Sequence, residues 1–279
     1  MSDEVRWEEQ PFLRNPAALI AFQGWGDAGS ASSMALDYLL DGLAGYRFAS
    51  IDPDDYFDFQ VARPIVEFDE EGVRSLDWPD TDFHAVTLPD RDLVIVTGVE
   101  PHNRWKAFCG RVSAVLKEVG VSEVVALGAF IGQVPHTLPV PLVGSSTEPG
   151  AIERHQLFAS EYEGPTGIIG ALTDTLARDG FHTLSVWAAV PHYISSQEYP
   201  PGALALLDKA LEIVEVRVDV SELQQAALEF RDDVDQAMND PEMQSYVAEL
   251  ESQALTEETG SDDPGEQLLD EIEKFLRGG

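Results

Sequence analysis

The chain is poor in positive charge, in cysteine and in long apolar runs, and each shortage excludes something. Of its 279 residues only 17 are Lys or Arg, four of them lysines, against 51 Asp and Glu, for a formal charge of −34. A surface this acidic repels phosphate backbones and anionic lipid headgroups, so general nucleic-acid or membrane-surface binding is excluded. The one cysteine, Cys109, cannot close an internal disulfide, which points to a reducing compartment. The longest uncharged run, Val124 to Thr147, spans 24 residues but carries Pro135, Pro139 and Pro141 as well as Gln133 and His136. A spanning helix does not hold three prolines, so the run reads as a buried strand followed by loops. The first residues are acidic and contain no apolar stretch of the kind a secretory signal needs. The expectation is a soluble protein of the cytoplasm.

What is present suits a folded core. Hydrophobic residues make up 44% of the chain and aromatic residues 9%, which excludes disorder throughout. Strand-like and helix-like segments alternate over the first three quarters. Ala17–Phe22 is a short apolar run closed by a glycine-rich turn, and Ser30–Leu43 follows with a helical stripe of Ala31, Met34, Ala35, Tyr38 and Leu39. Arg47–Ile51, Ile65–Phe68, Ala85–Leu88, Leu93–Val99, Glu123–Leu127 and Leu184–Val190 read as strands. Asn103–Val119, Gly150–Leu157 and Ile168–Arg178 read as helices, with Gly120 and Gly180 placed to end the first and the last. This order predicts a three-layer α/β/α domain on a mainly parallel sheet. From Pro201 the pattern is helical. Asn239-Asp240-Pro241 is a break that restarts a helix, and Glu257–Glu266 has the composition of a linker. Residues 219–279 carry 18 acids against three bases, which marks an acidic helical extension after a domain over 1–218.

The sharpest local signal is Gly24-Trp25-Gly26-Asp27-Ala28-Gly29, which fits G-x-G-x-x-G between a strand and a helix, with Asp52 lying 23 residues beyond Gly29. That is nearly the dinucleotide-binding pattern. Two residues argue against it. Asp27 puts a carboxylate where pyrophosphate would sit, and Trp25 is bulky where backbone must approach the ligand. The alternatives are a strand-to-helix turn with Asp27 as the helix cap, or a contact with another ligand or subunit.

Motifs of the common catalytic classes, H-E-x-x-H, C-x-x-C, the P-loop and G-x-S-x-G, do not occur in the sequence. The six histidines are far apart, so no local metal-ligand spacing exists, and Cys109 falls on the apolar face of its helix. Polar residues do collect after strands. Glu100-Pro101-His102-Asn103-Arg104-Trp105 follows one, Pro135-His136-Thr137 another, and Pro191-His192-Tyr193 a third. Carboxyl ends of parallel strands share one edge, where ligand crevices form. The candidate ligand-binding cleft is therefore Trp25, Asp27, Glu100, Arg104, His136, Thr137 and His192, with no catalytic residue and no metal assigned. The competing structural reading makes Glu100–Arg104 an ion pair within its loop and has the histidines cap or pack.

Five segments taken together resemble the PAC2 family, the proteasome-assembly-chaperone-2-like proteins, and most of all its actinobacterial branch. They are Gly24–Gly29, Glu100-Pro101-x-x-Arg104-Trp105, Pro135-His136-Thr137, Tyr162-Glu163-Gly164-Pro165-Thr166-Gly167, and Ser185-x-Trp187-Ala188-x-Val190-Pro191-His192-Tyr193. The resemblance implies a phosphorylase/hydrolase-like α/β/α fold without an established catalytic activity and without a cofactor. It also implies a homo-oligomer, a trimer, with proteasome subunits as partners. Eukaryotic members assist assembly of proteasome α-rings, and some archaeal members bind the core particle through a C-terminal hydrophobic–Tyr–any tripeptide. This chain departs by ending Phe275-Leu276-Arg277-Gly278-Gly279, and by having Leu138 after Pro135-His136-Thr137 where the actinobacterial pattern has Arg.

The functional expectation is a non-enzymatic interaction protein near the proteasome, with an enzyme or small-ligand binder using the strand-end cleft as the alternative. The last amphipathic piece, Leu268, Leu269, Ile272, Phe275 and Leu276, is expected to bury its apolar face within the oligomer. The charge imbalance yields a direct test. Raising NaCl from about 0.01 M to about 0.15 M shortens the Debye length from about 30 Å to about 8 Å. Self-repulsion among carboxylates is screened, so the melting temperature at neutral pH should rise; a flat or falling value over that range would refute the argument.

Overall fold

The computed structural model describes residues 5–69, 72–160, 162–194 and 196–259. In chain order the elements are β1 (Val5–Trp7), β2 (Ala17–Gln23), α1 (Ala31–Gly42), β3 (Gly45–Ile51), β4 (Ile65–Phe68), β5 (Arg74–Asp77), β6 (Thr81–Val86), β7 (Leu93–Val99) and α2 (Trp105–Glu118). They continue with β8 (Glu123–Gly132), β9 (Leu142–Ser146), α3 (Ala151–Arg154), β10 (Phe158–Ala159), α4 (Ile168–Arg178), β11 (His182–Pro191), α5 (Pro200–Ile213), α6 (Ser221–Ala237) and α7 (Pro241–Thr259).

Among the described residues, nine strands form one sheet in the order β1-β3-β6-β7-β2-β8-β11-β9-β10. Only its centre is a continuous parallel block: β7, β2, β8 and β11 run the same way. The flanks β1-β3-β6-β7 and the β11–β9 pair are antiparallel, which corrects the expectation of a mainly parallel sheet. The reason lies in the connections. A few residues between β6 and β7 allow only a hairpin, whereas the central strands are joined through helices. β2 and β8 are apolar on both faces because helices cover both, whereas β11 carries Thr183 and Ser185 on one of its faces.

One face carries α1, α5 and α6 against Leu19, Leu127, Val186 and Val190, and α6 adds Leu223 and Val234 to that layer. The other carries α2 and α4 against Ile20, Val94, Val124 and Ala126. Cys109 is buried in this second layer, and burial pushes its thiol up to about 11. The expected α/β/α sandwich with C-terminal helices is present. Two expected boundaries move. The helix foreseen over Gly150–Leu157 is the single turn α3, and α7 runs on through Glu257–Thr259 into the foreseen linker. The amphipathic piece Leu268–Leu276 and the Gly278-Gly279 end lie outside the described residues.

Hairpin β4–β5 stands apart from the large sheet as its own two-stranded sheet. Val66, Phe68 and Leu76 share one of its faces, since Val66 pairs with Leu76 and Phe68 with Arg74, and all three are exposed. Near its base, Asp80 approaches β6 with one carboxylate oxygen buried and unpartnered. Burial, followed by the neighbouring Asp82 charge, raises its carboxyl to about 6. An acid whose folded value exceeds its unfolded one stabilises the fold only while protonated. The Asp80 contribution is therefore full below about pH 4 and is lost as pH climbs to about 6. Asp80→Asn should lessen the fall in stability between pH 4 and 6, measured by urea unfolding at each pH. Parallel wild-type and variant curves would show that Asp80 does not titrate in this way.

Candidate functional site

The β2–α1 turn is the residue-level centre of the edge. At Gly24, φ of +135° and an approach that would set a Cβ 3.0 Å from the Glu100 Cβ both demand glycine. Ala129 N–H donates to the Gly26 carbonyl (2.8 Å), which ties the turn to β8. Asp27 then turns inward, 9% exposed. Its Oδ1 accepts from Ser32 N (2.8 Å), Ser32 Oγ (2.6 Å) and Ser33 N (3.2 Å), and its Oδ2 from Ser33 Oγ (2.6 Å). Ser32 and Ser33 lie in the first turn of α1, so Asp27 satisfies the helix N–H groups and fills the position a phosphate would take. Of the readings open for this motif, the geometry is that of the capped turn.

Glu100 does the same for a second helix. Its Oε1 accepts from Ile168 N (2.7 Å), the first residue of α4, and its Oε2 from Trp25 N (3.3 Å). The Trp25 ring lies against Gly167, whose Cβ would be 3.1 Å from Trp25 Cε3. Arg104 departs from the expected ion pair. It pairs with Asp55 and stacks over the Tyr56 ring at 5.7 Å, while Glu100 is held by the two backbone N–H groups. The left-handed backbone at Arg104, with φ of +55°, aims its side chain toward that loop.

The remaining expected residues make their contacts with the C-terminal helices. His136 is 2% exposed. Its backbone N–H donates to Tyr193 Oη (2.9 Å), and the Tyr193 hydroxyl lies 2.8 Å from Nδ1. On the other side of the ring, Nε2 lies 3.1 Å from Asp235 Oδ1 of α6, so the imidazole links the strand end to that helix. Burial pushes Tyr193 up to about 12, so it stays a phenol. His192 Nε2 meets Tyr246 Oη of α7 (3.0 Å), and Thr137 Oγ1 donates to Glu251. The single cleft expected from strand ends is thus divided. Trp25 and Glu100 form one group, with Asp27 turned into the helix beneath and Arg104 drawn away to Asp55. His136, Thr137 and His192 form another against α6 and α7, where His136 is buried and the other two stay exposed.

A pocket of about 550 Å³ opens beside Trp25, between α4, the loop residues Ser160 and 162–166, and the sheet. Its floor is Trp187, which pairs across the ladder with Gly128. A Cβ on Gly128 would lie 2.4 Å from Trp187 Cε3, so only glycine lets the indole lie flat over β8. Thr183 and Ser185 continue the same face of β11, and Thr173 and Asp174 of α4 close the other side. Of these wall residues only Trp25 was foreseen as a site residue. The readable signal was Thr183, Ser185 and Trp187 alternating with apolar residues in a central strand, opposite a glycine. Among the described residues, no group of three His, Cys, Asp or Glu side chains could hold a metal ion.

A sequence model of the PAC2 family matches residues 21–238, and the chain belongs to that family. The structure is similar to a PAC2 family protein from Streptomyces avermitilis (42% identity, TM-score 0.78), covering 83% of this chain and 99% of that one. It is also similar to a proteasome-assembly chaperone homologue from Mycobacterium tuberculosis (34%, TM-score 0.76), with the same two coverages. An archaeal proteasome activator from Pyrococcus furiosus shares the fold at 17% identity and TM-score 0.68, over 84% of this chain and 97% of its own. No curated protein matches the sequence.

Asp27→Ala removes the carboxylate that accepts from two hydroxyls and two amides at the start of α1, leaving the Ser33 hydroxyl only the Ser30 carbonyl (3.2 Å). The loss should be about 3 kcal/mol, the scale of a lost charged cap together with buried groups left unpaired. Equilibrium urea denaturation reads it directly, and a cost under about 1 kcal/mol would mean water replaces the carboxylate.

Proposed function

We propose that the chain is a non-enzymatic interaction protein, a proteasome-associated assembly chaperone or adaptor, working as a cytoplasmic homo-oligomer. A trimer is favoured by the family resemblance. The observation that carries this reading is the 34% identity to a proteasome-assembly chaperone homologue over 99% of that protein. The geometry supports it in two ways. The carboxylates at the sheet edge are taken up in holding helix starts, with Asp27 on α1 and Glu100 on α4. Hairpin β4–β5 presents Val66, Phe68 and Leu76 to solvent, and an isolated two-stranded hairpin gains stability when such a face is covered. Among the described residues no helix is long and apolar enough to cross a membrane. The 550 Å³ pocket supports a second reading, a small-ligand-binding protein.

Affinity capture of the tagged chain at native expression level from its own cells, followed by native mass spectrometry, separates these readings. Proteasome subunits should be enriched over an untagged control, together with a species of three 30.6 kDa chains. A monomer recovered without proteasome subunits would overturn the proposal.

A further inference from the structure

The pocket beside Trp25 has a chemistry of its own. Two indoles and the Tyr162 ring line it, and among the described residues no Lys, Arg or His side chain does. Where the hydroxyl protons go decides what its polar wall offers. Ser146 Oγ donates to the Thr183 carbonyl (2.7 Å), Tyr162 Oη to the Pro165 carbonyl (2.8 Å) and Thr173 Oγ1 to the Ile169 carbonyl (2.9 Å). The protons of these three hydroxyls are therefore taken by backbone carbonyls rather than offered to a ligand, and Ser146 Oγ also accepts from Glu148 N (3.1 Å). Asp174 adds a carboxylate whose present partner is Arg178 at i+4. Both are largely exposed, and a surface pair of this kind is weak enough to exchange. The N-terminus of α4, the natural place for an anion, is already occupied by Glu100. The surrounding field of a chain at −34 repels anions and concentrates cations.

We propose that this pocket binds a small organic cation, an ammonium or guanidinium group carried on an apolar body. The cationic head lies against the indole faces and the Asp174 carboxylate, and the aliphatic part fills the space over Trp187. The inference goes beyond the proteasome-related reading and does not depend on it. Such a cation arrives either as a free amine or as a basic side chain of a peptide, and the chemistry that recognises it is the same.

The test uses the indole N–H signals of the ¹⁵N-labelled full chain, which has five tryptophans. Trp25→Phe and Trp187→Phe assign two of them. The probes are n-butylammonium, the neutral 1-pentanol, one carbon longer, and the anion valerate, at matched ionic strength. The Trp25 and Trp187 signals should titrate with butylammonium at least about tenfold more tightly than with pentanol, and not with valerate, as a desolvated cation–π contact of this kind requires. Asp174→Asn, on the exposed side of α4, should weaken the ammonium about fivefold, an ion-pair contribution near the top of the surface range, and leave pentanol unchanged. A lysine-containing tripeptide with blocked ends identifies the source: binding as tight as butylammonium assigns a partner's side chain, and weaker binding assigns a free amine. Equal constants for ammonium and alcohol, comparable shifts with valerate, or no movement of these two signals would overturn the proposal.

Discussion

The start of α1 is held by one buried carboxylate, and the geometry of the whole sheet edge follows from it. Asp27 accepts four hydrogen bonds from Ser32 and Ser33. A buried carboxylate is tolerable only when its lone pairs are satisfied, and a helix start only when its N–H groups are. Each requirement here meets the other. With the side chain turned inward, the turn at Gly24–Gly26 lies over β8 and presents Trp25 outward. Glu100 repeats the device from β7, joining the Trp25 backbone to α4.

This arrangement explains why a glycine pattern so near the dinucleotide form builds a different edge. That pattern works by leaving a helix N-terminus open for pyrophosphate. Here two helix N-termini are closed by the chain's own carboxylates, and the open space lies to one side, over Trp187. The edge is closed again at its far end, where His136 and His192 connect the strand ends to Asp235 and Tyr246. Tyr193 stands edge-on to both rings and to Tyr246, so the C-terminal helices rest on an aromatic cluster with polar links through it. Membership of the PAC2 family covers this edge and α6, since the match runs to residue 238.

The sequence by itself determined the layers. Apolar periodicity, caps and glycine stops act over a few residues, so α4 was read at Ile168–Arg178 as found, and β2 and β7 to within a residue. The local break at Asp240-Pro241 was legible for the same reason, with Asp240 accepting from the Glu242 amide. Asp27 was readable as a cap because carboxylate and helix start are neighbours in the chain. The tertiary structure alone decided the partners. Glu100 meets Ile168 across 68 residues and His136 meets Asp235 across 99, distances over which no spacing rule operates. An ion pair four residues apart was the local solution for Glu100 and Arg104, but folding offered Glu100 an orphan helix N–H and Arg104 a nearby Asp55 and Tyr56 ring. The pocket belongs to the same class of fact. Its floor exists only because Gly128 and Trp187 fall in register on adjacent strands, and register is set by the packing of both sheet faces.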